Sequence, residues 1–188
     1  MKDLLDRFEE VAENPQACAF EWKKETGRPV VGTFCSYAPE EIIYAAGALP
    51  YRMLGTGGAK GYSDAYLQSY CCSVVKHTLD DLLSGGLDFL DGAVFPHTCD
   101  SVQRLSDIFR LNMKNSFHLD AVLPAKLDTP SAARYMKSVL ERLAGDLEER
   151  LGTRMTKQDL TDAVLVFNRI RNGLRTLADA GIDNRINV

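Results

Sequence analysis

Apolar positions recur at helical spacing from the start of the chain. Leu4, Leu5, Phe8 and Val11 share one face of a helix from Asp3 to Ala12, and Asn14 before Pro15 marks the N-cap and first turn of a second. Residues 1–27 therefore read as a helical hairpin. From Pro29 the pattern shortens: Pro29 to Phe34 is a brief apolar run, and Pro39-Glu40-Glu41 opens a helix that stops at Gly47. Leu49 to Leu54 is a second short run. After the glycine loop Gly55 to Gly61, helical spacing returns through Leu67, Tyr70, Val74, Val75, Leu79 and Leu82, predicting a helix over 65–83. Gly92 to Pro96 reads as a strand, Cys99 to Met113 as a helix opened by Asp100 and Ser101, and Phe117 to Leu123 as a further strand.

Short apolar strands alternating with helices predict an α/β fold, a doubly wound parallel sheet flanked by helices over residues 28–128. After Pro130 the pattern changes. Ala132, Met136, Leu140, Leu143, Leu147 and Leu151 form one stripe, and Leu160, Val164, Phe167, Ile170, Leu174 and Leu177 form another, so residues 129–188 read as two long helices. Thr156 with Asp159 forms a capping box for the second, weakened because the usual partner is Glu or Gln.

The 188 residues, 45% hydrophobic, suffice for one well-packed core. A net charge of -4 with no basic run argues against nucleic acid as a partner and against a membrane surface. The acidic, helical N-terminus lacks the regions of a signal peptide, and no apolar stretch is long enough for a membrane span, so a cytoplasmic location is expected. In that compartment five cysteines are buried hydrophobes, metal ligands or reactive thiols rather than a disulfide framework.

Ligands of open α/β sheets bind beyond the carboxyl ends of the strands. Cys35 follows the first strand and Cys99 the third, while Cys72 lies on the helix after the glycine loop, where it could face the same crevice. Thiolates converging there could hold an iron–sulfur cluster, but no C-x-x-C or ferredoxin-type run supports one, and a buried structural role is the competing reading for each cysteine. Cys18 and Cys71 read as packing residues. A zinc site from Cys72, His97 and Cys99 is a further alternative, and His77 and His118 read as surface or satisfied core residues. The glycine loop has Lys60 where a dinucleotide fingerprint needs its third glycine, and Gly61 where a P-loop needs Ser or Thr. A flexible connection with no nucleotide bound directly is the better reading. Asp100 to Arg104 place polar groups at a helix N-terminus, and Ser36 and Tyr37, beside Cys35, could hydrogen-bond a substrate carbonyl.

Three stretches carry a resemblance: GTFCSYAPEEIIYAAGALPYRMLG from Gly32, YLQSYCCSVVKHTLDDLLSGGLDFLDGAVFPHTCDSVQRLSD from Tyr66, and TKQDLTDAVLVFNRIRNGLR from Thr156. In these residues the chain resembles the 2-hydroxyacyl-CoA dehydratase and benzoyl-CoA reductase family, including the 2-hydroxyglutaryl-CoA dehydratase component D type. The resemblance implies a subunit of an enzyme in which a 4Fe–4S cluster lies beside an acyl-CoA thioester. One-electron reduction to a ketyl radical is then followed by dehydration, or by ring reduction in the benzoyl-CoA branch. It implies Cys72 and Cys99 as cluster ligands, with Cys35 matching a cysteine found in some branches. Ser36 is the candidate catalytic residue, and Tyr37 and Arg52 the candidate substrate contacts. Implied partners are the acyl-CoA substrate, a second dehydratase subunit and an ATP-dependent iron–sulfur activator protein. Family subunits are longer, so residues 129–188 are expected to lead to a second domain absent here. The chain then reads as a fragment, or as a truncated partner-binding paralogue with an incomplete or absent cluster.

Overall fold

The computed structural model describes residues 2–56 and 58–182; Gly57 of the glycine loop and the end of the 129–188 segment lie outside them. Two helices, α1 (Lys2–Glu13) and α2 (Pro15–Thr26), open the chain. Then follow β1 (Val30–Thr33), α3 (Glu40–Ala45), β2 (Leu49–Arg52), a 3-10 turn at Tyr62–Ala65, α4 (Ser73–Leu83), β3 (Gly92–Pro96), α5 (Asp100–Asn112) and β4 (Phe117–Ala121). Two long helices, α6 (Pro130–Leu151) and α7 (Lys157–Ile182), complete the described chain.

The strands form one parallel sheet in the order β2-β1-β3-β4. Because side chains alternate along a strand, adjacent residues of β1 feed different cores. Val30 joins α2, α4 and α5 on one face, in a cluster with Phe95, Leu79, Leu105 and Phe109. Val31 joins α3 and α6 on the other, with Val94, Ile43, Leu143 and Leu147. Helices on both faces of a parallel sheet make the fold doubly wound, as the alternation of elements predicts. Gly92 allows the closest approach in the sheet: a Cβ there would meet the Phe117 ring at 2.3 Å.

Both ends of α6 and the start of α7 are well formed. Thr129 Oγ1 accepts from Ala132 N at 3.1 Å at the start of α6, and Gly152, at φ 64°, ends it in the left-handed region. Before α7, Thr156 N donates to Asp159 Oδ2 at 2.8 Å and Asp159 N to Thr156 Oγ1 at 3.1 Å, the reciprocal capping box expected from the sequence. No helix among the described residues is long and apolar enough to cross a membrane.

One predicted element differs in a way that bears on the site. The helix expected over 65–83 begins only at Ser73, and Cys72 is its N-cap with extended backbone at ψ 153°. Leu67 is still buried, but Tyr70, the next residue of the expected stripe, is 81% exposed, so the apolar spacing there does not mark a helix face. The cause lies in α4: the Asp80 carboxylate accepts the N–H groups of Lys60, Gly61 and Ser63 at 2.7, 3.2 and 2.7 Å, folding the preceding chain into a turn. The end of the glycine loop, at Lys60 and Gly61, is thereby anchored to α4. At its start, Gly55 has φ 69° and passes so close to α4 that a Cβ would meet His77 Cβ at 2.4 Å.

Candidate functional site

In the strand order β2-β1-β3-β4 the connections from β1 and β3 leave on opposite faces, which opens a crevice between them at the carboxyl edge of the sheet. Cys35 comes two residues after β1, exposed and with φ 60°. That left-handed conformation costs a non-glycine residue roughly 1–2 kcal/mol, strain of a kind concentrated at functional sites. Ser36 and Tyr37 follow it in an exposed turn.

Cys99 is the N-cap of α5, as Cys72 is of α4; both are exposed, and neither side chain makes a capping hydrogen bond. Parallel strands and their crossover helices run in opposite directions, so both helix N-termini lie at the same sheet edge as Cys35. Their flanking segments meet. Ser101 Oγ donates to Cys71 Sγ at 3.8 Å, and Gln68, Tyr70, Cys71, Asp100, Ser101 and Arg104 enclose a polar cleft of about 340 Å³. Free N–H groups and the helix dipole make these ends favourable for negatively charged sulfur ligands. Cys71 is buried, as a packing residue should be, and Cys18 is half-buried.

Thiolates suit iron–sulfur clusters, which commonly take four cysteines. The donors at this edge fit in kind, and three of them are present. Among the described residues no group of three or more His, Cys, Asp or Glu side chains is drawn together tightly enough to hold a metal ion. The zinc alternative finds no geometric support either, because Cys72, His97 and Cys99 are not drawn together as a ligand group; His97 Nε2 lies 2.8 Å from Asp120 Oδ1.

That contact belongs to a polar chain that sequence reasoning missed. Ser106 Oγ donates to Asp120 Oδ1 at 2.6 Å and lies 2.7 Å from His118 Nε2, so the imidazole is placed to donate to the hydroxyl. Ser106 is only 2% exposed. Burial pushes the His118 imidazole below its ordinary value against the opposing pull of Asp120, consistent with a neutral ring stacked on Phe95 at 5.5 Å. The available signal was His118-x-Asp120, two polar residues on one face of a strand end; their partner on α5 could not be read from spacing.

His97 also lines a second cleft, of about 680 Å³, together with Tyr37, Gln103 and the apolar residues after β4. Arg52 ends β2 and is paired with Glu40 at 2.7 Å, and it does not line this cleft. Ser36 is beside Tyr37 but is not among the lining residues.

Comparison with known proteins gives this geometry a context. The (R)-2-hydroxyglutaryl-CoA dehydratase beta subunit of Acidaminococcus fermentans is 29% identical over 174 residues, covering 92% of this chain and 46% of that protein. A benzoyl-CoA reductase subunit of Thauera aromatica is 31% identical over 173 residues, covering 90% and 45%. The (R)-phenyllactyl-CoA dehydratase beta subunit of Clostridium sporogenes is 26% identical over 168 residues, covering 89% and 45%. The chain thus spans about half the length of these relatives. The family described as 2-hydroxyglutaryl-CoA dehydratase, D-component, matches residues 35–186, a span that begins at Cys35 and includes Cys72, Cys99 and the polar chain. On that match, the chain belongs to the 2-hydroxyglutaryl-CoA dehydratase D-component family.

Proposed function

We propose that this chain acts within a 2-hydroxyacyl-CoA dehydratase subunit, with Cys72, Cys99 and Cys35 contributing thiolates to a 4Fe–4S cluster. The observation that carries the reading is the placement of three exposed cysteines at one sheet edge, two of them as N-caps of neighbouring helices. Completing the ligand set takes a donor from outside these three. When bound, the cluster supplies single electrons at low potential for dehydration of the thioester. The chain's own residues bind and orient the substrate: Tyr37 at the cleft, and Ser36 beside it as a hydrogen-bond donor to the thioester carbonyl. Arg52 reaches a substrate only by leaving its pair with Glu40. A second subunit and an ATP-dependent activator protein are the proposed partners, and the cytoplasm the proposed location.

The test is iron and acid-labile sulfide content with the visible spectrum, on protein purified and reconstituted without oxygen. Brown protein whose iron and sulfide disappear in Cys72→Ala/Cys99→Ala is the expected result; colourless protein lacking both sinks the proposal. One observation favours a second reading, a partner-binding chain without a cluster: the described residues draw no three metal-ligating side chains together. Colourless, folded protein that binds a dehydratase subunit would be its signature. The similarity to a benzoyl-CoA reductase subunit keeps ring reduction as the alternative chemistry. Electron transfer to a 2-hydroxyacyl-CoA or to benzoyl-CoA, with activator and second subunit present, separates the two.

A further inference from the structure

The cleft beside His97 is lined by the polar residues His97, Thr98 and Gln103, by Tyr37, and by an apolar wall that includes Val122, Leu123, Pro124, Leu127 and Met136. Leu127 is 80% exposed and Val122 38%, so the apolar wall is open to solvent. Among the described residues no Lys or Arg lines the cleft. Lys126, the basic residue nearest to that wall in sequence, lines an adjoining groove with Thr129 and Ser131.

Such a cleft gains from covering hydrocarbon and loses by desolvating a carboxylate that finds no cation. His97 is already engaged by Asp120, which leaves a negatively charged neighbour rather than a counter-charge for a second acid group. We infer that this cleft takes the acyl part of a CoA thioester whose chain is uncharged and apolar, and that it discriminates against chains ending in a second carboxylate. The inference rests on the acyl-CoA reading of the chain and narrows its substrate class.

Calorimetric titration of the 188-residue chain with 4-methylpentanoyl-CoA, glutaryl-CoA and free CoA tests it. The apolar thioester is expected to bind at least about tenfold more tightly than glutaryl-CoA. Leu127→Lys, a change at an exposed position, is expected to bring the two affinities to parity or reverse them. Val122→Lys, with circular dichroism as the fold check, repeats the test on the same wall. Equal binding of both thioesters to the unaltered protein, or a preference that neither lysine moves, overturns the substrate class while leaving an acyl-CoA protein. Binding of neither thioester nor free CoA overturns the acyl-CoA reading and the inference with it.

Discussion

The two faces of the sheet use amphipathic helices of the same kind and hold them differently. On the face of α2, α4 and α5, apolar packing is joined by buried polar groups: Ser63, Thr78, Asp80, Asp81 and Ser106. Asp80 ties the turn before α4 to its helix, and Ser106 ties α5 to the end of β4. The core on the face of α3 and α6 is built from Val, Ile, Ala and Leu, with Thr33 of β1 as its buried polar residue, and α7 lies outermost against α3. There Ala163 and Phe167 are buried, the Phe167 ring meets Tyr44 edge-on at 5.9 Å, and Arg171 pairs with Glu41. Leu160, Val164, Ile170, Leu174 and Leu177 remain exposed. Apolar contact is non-directional and decides that a helix packs; directional polar ties decide where its end sits. The exposed cysteines of α4 and α5 are on the tied face.

The largest effect is expected in the untied core. Leu147 is fully buried on α6, and Leu147→Ala is expected to cost about 2–5 kcal/mol in urea unfolding through lost contacts and a residual cavity. A cost under about 1 kcal/mol would show that this face collapses around the gap, which breaks the distinction between the two cores.

Next comes the tie itself. Burial alone would raise the Asp80 carboxyl, but hydrogen bonds from Lys60, Ser63 and Gly61 outweigh it and hold the group below its ordinary 3.8. Asp80→Ala leaves those N–H groups without their acceptor and is expected to cost about 1–3 kcal/mol. Its signature is faster amide exchange at Lys60, Gly61 and Ser63, which Leu147→Ala should leave unchanged relative to global unfolding. Unaltered exchange at those amides would show that the turn holds without its carboxylate.

A pH titration sharpens the contrast further. Burial lowers His118 from 6.5; Asp120 and Asp107 oppose the shift, while Arg110 and His97 add to it. Above pH 6.5 the group is neutral in both folded and unfolded chains. As pH falls below 6.5 the unfolded chain binds the proton first, so stability declines until the lower native value is passed. His118→Gln should flatten that part of the urea midpoint profile. The loss due to Asp80 should survive, because its contribution is complete above 3.8 and disappears only as pH falls through its lower native value. An unchanged slope in His118→Gln would mean that other groups carry it.

The smallest effect is expected on α7. Leu174 is 61% exposed, and Leu174→Ser should alter stability by less than about 0.5 kcal/mol. A clearly larger loss that depends on protein concentration would show that the stripe is covered in solution by another copy.

Much of the fold was legible because period is a local property. The apolar runs at Val30 and Gly92, the helical stripe of α6 and the capping box at Thr156 were found where their spacing put them. The start of α4 was not, because Leu67 and Tyr70 mimic helical spacing while an acid in the following helix bends the chain between them and Lys60. The cysteines could be nominated from their places after strands and by resemblance, but their surroundings could not. Nothing near Ser106 in sequence points to His118 and Asp120, which reach it through the turn into β4.

Local pattern along the chain settled the order and type of the elements, the alternation that sends Val30 and Val31 into different cores, and the family. Packing in three dimensions chose which of two similar stripes would be buried: α6 lies on the sheet, whereas α7 touches α3 and leaves most of its stripe to solvent. It also set Cys35, Cys72 and Cys99 on one edge and turned His97 to Asp120. Periodicity specifies an amphipathic surface, but the crossovers between strands choose what that surface meets.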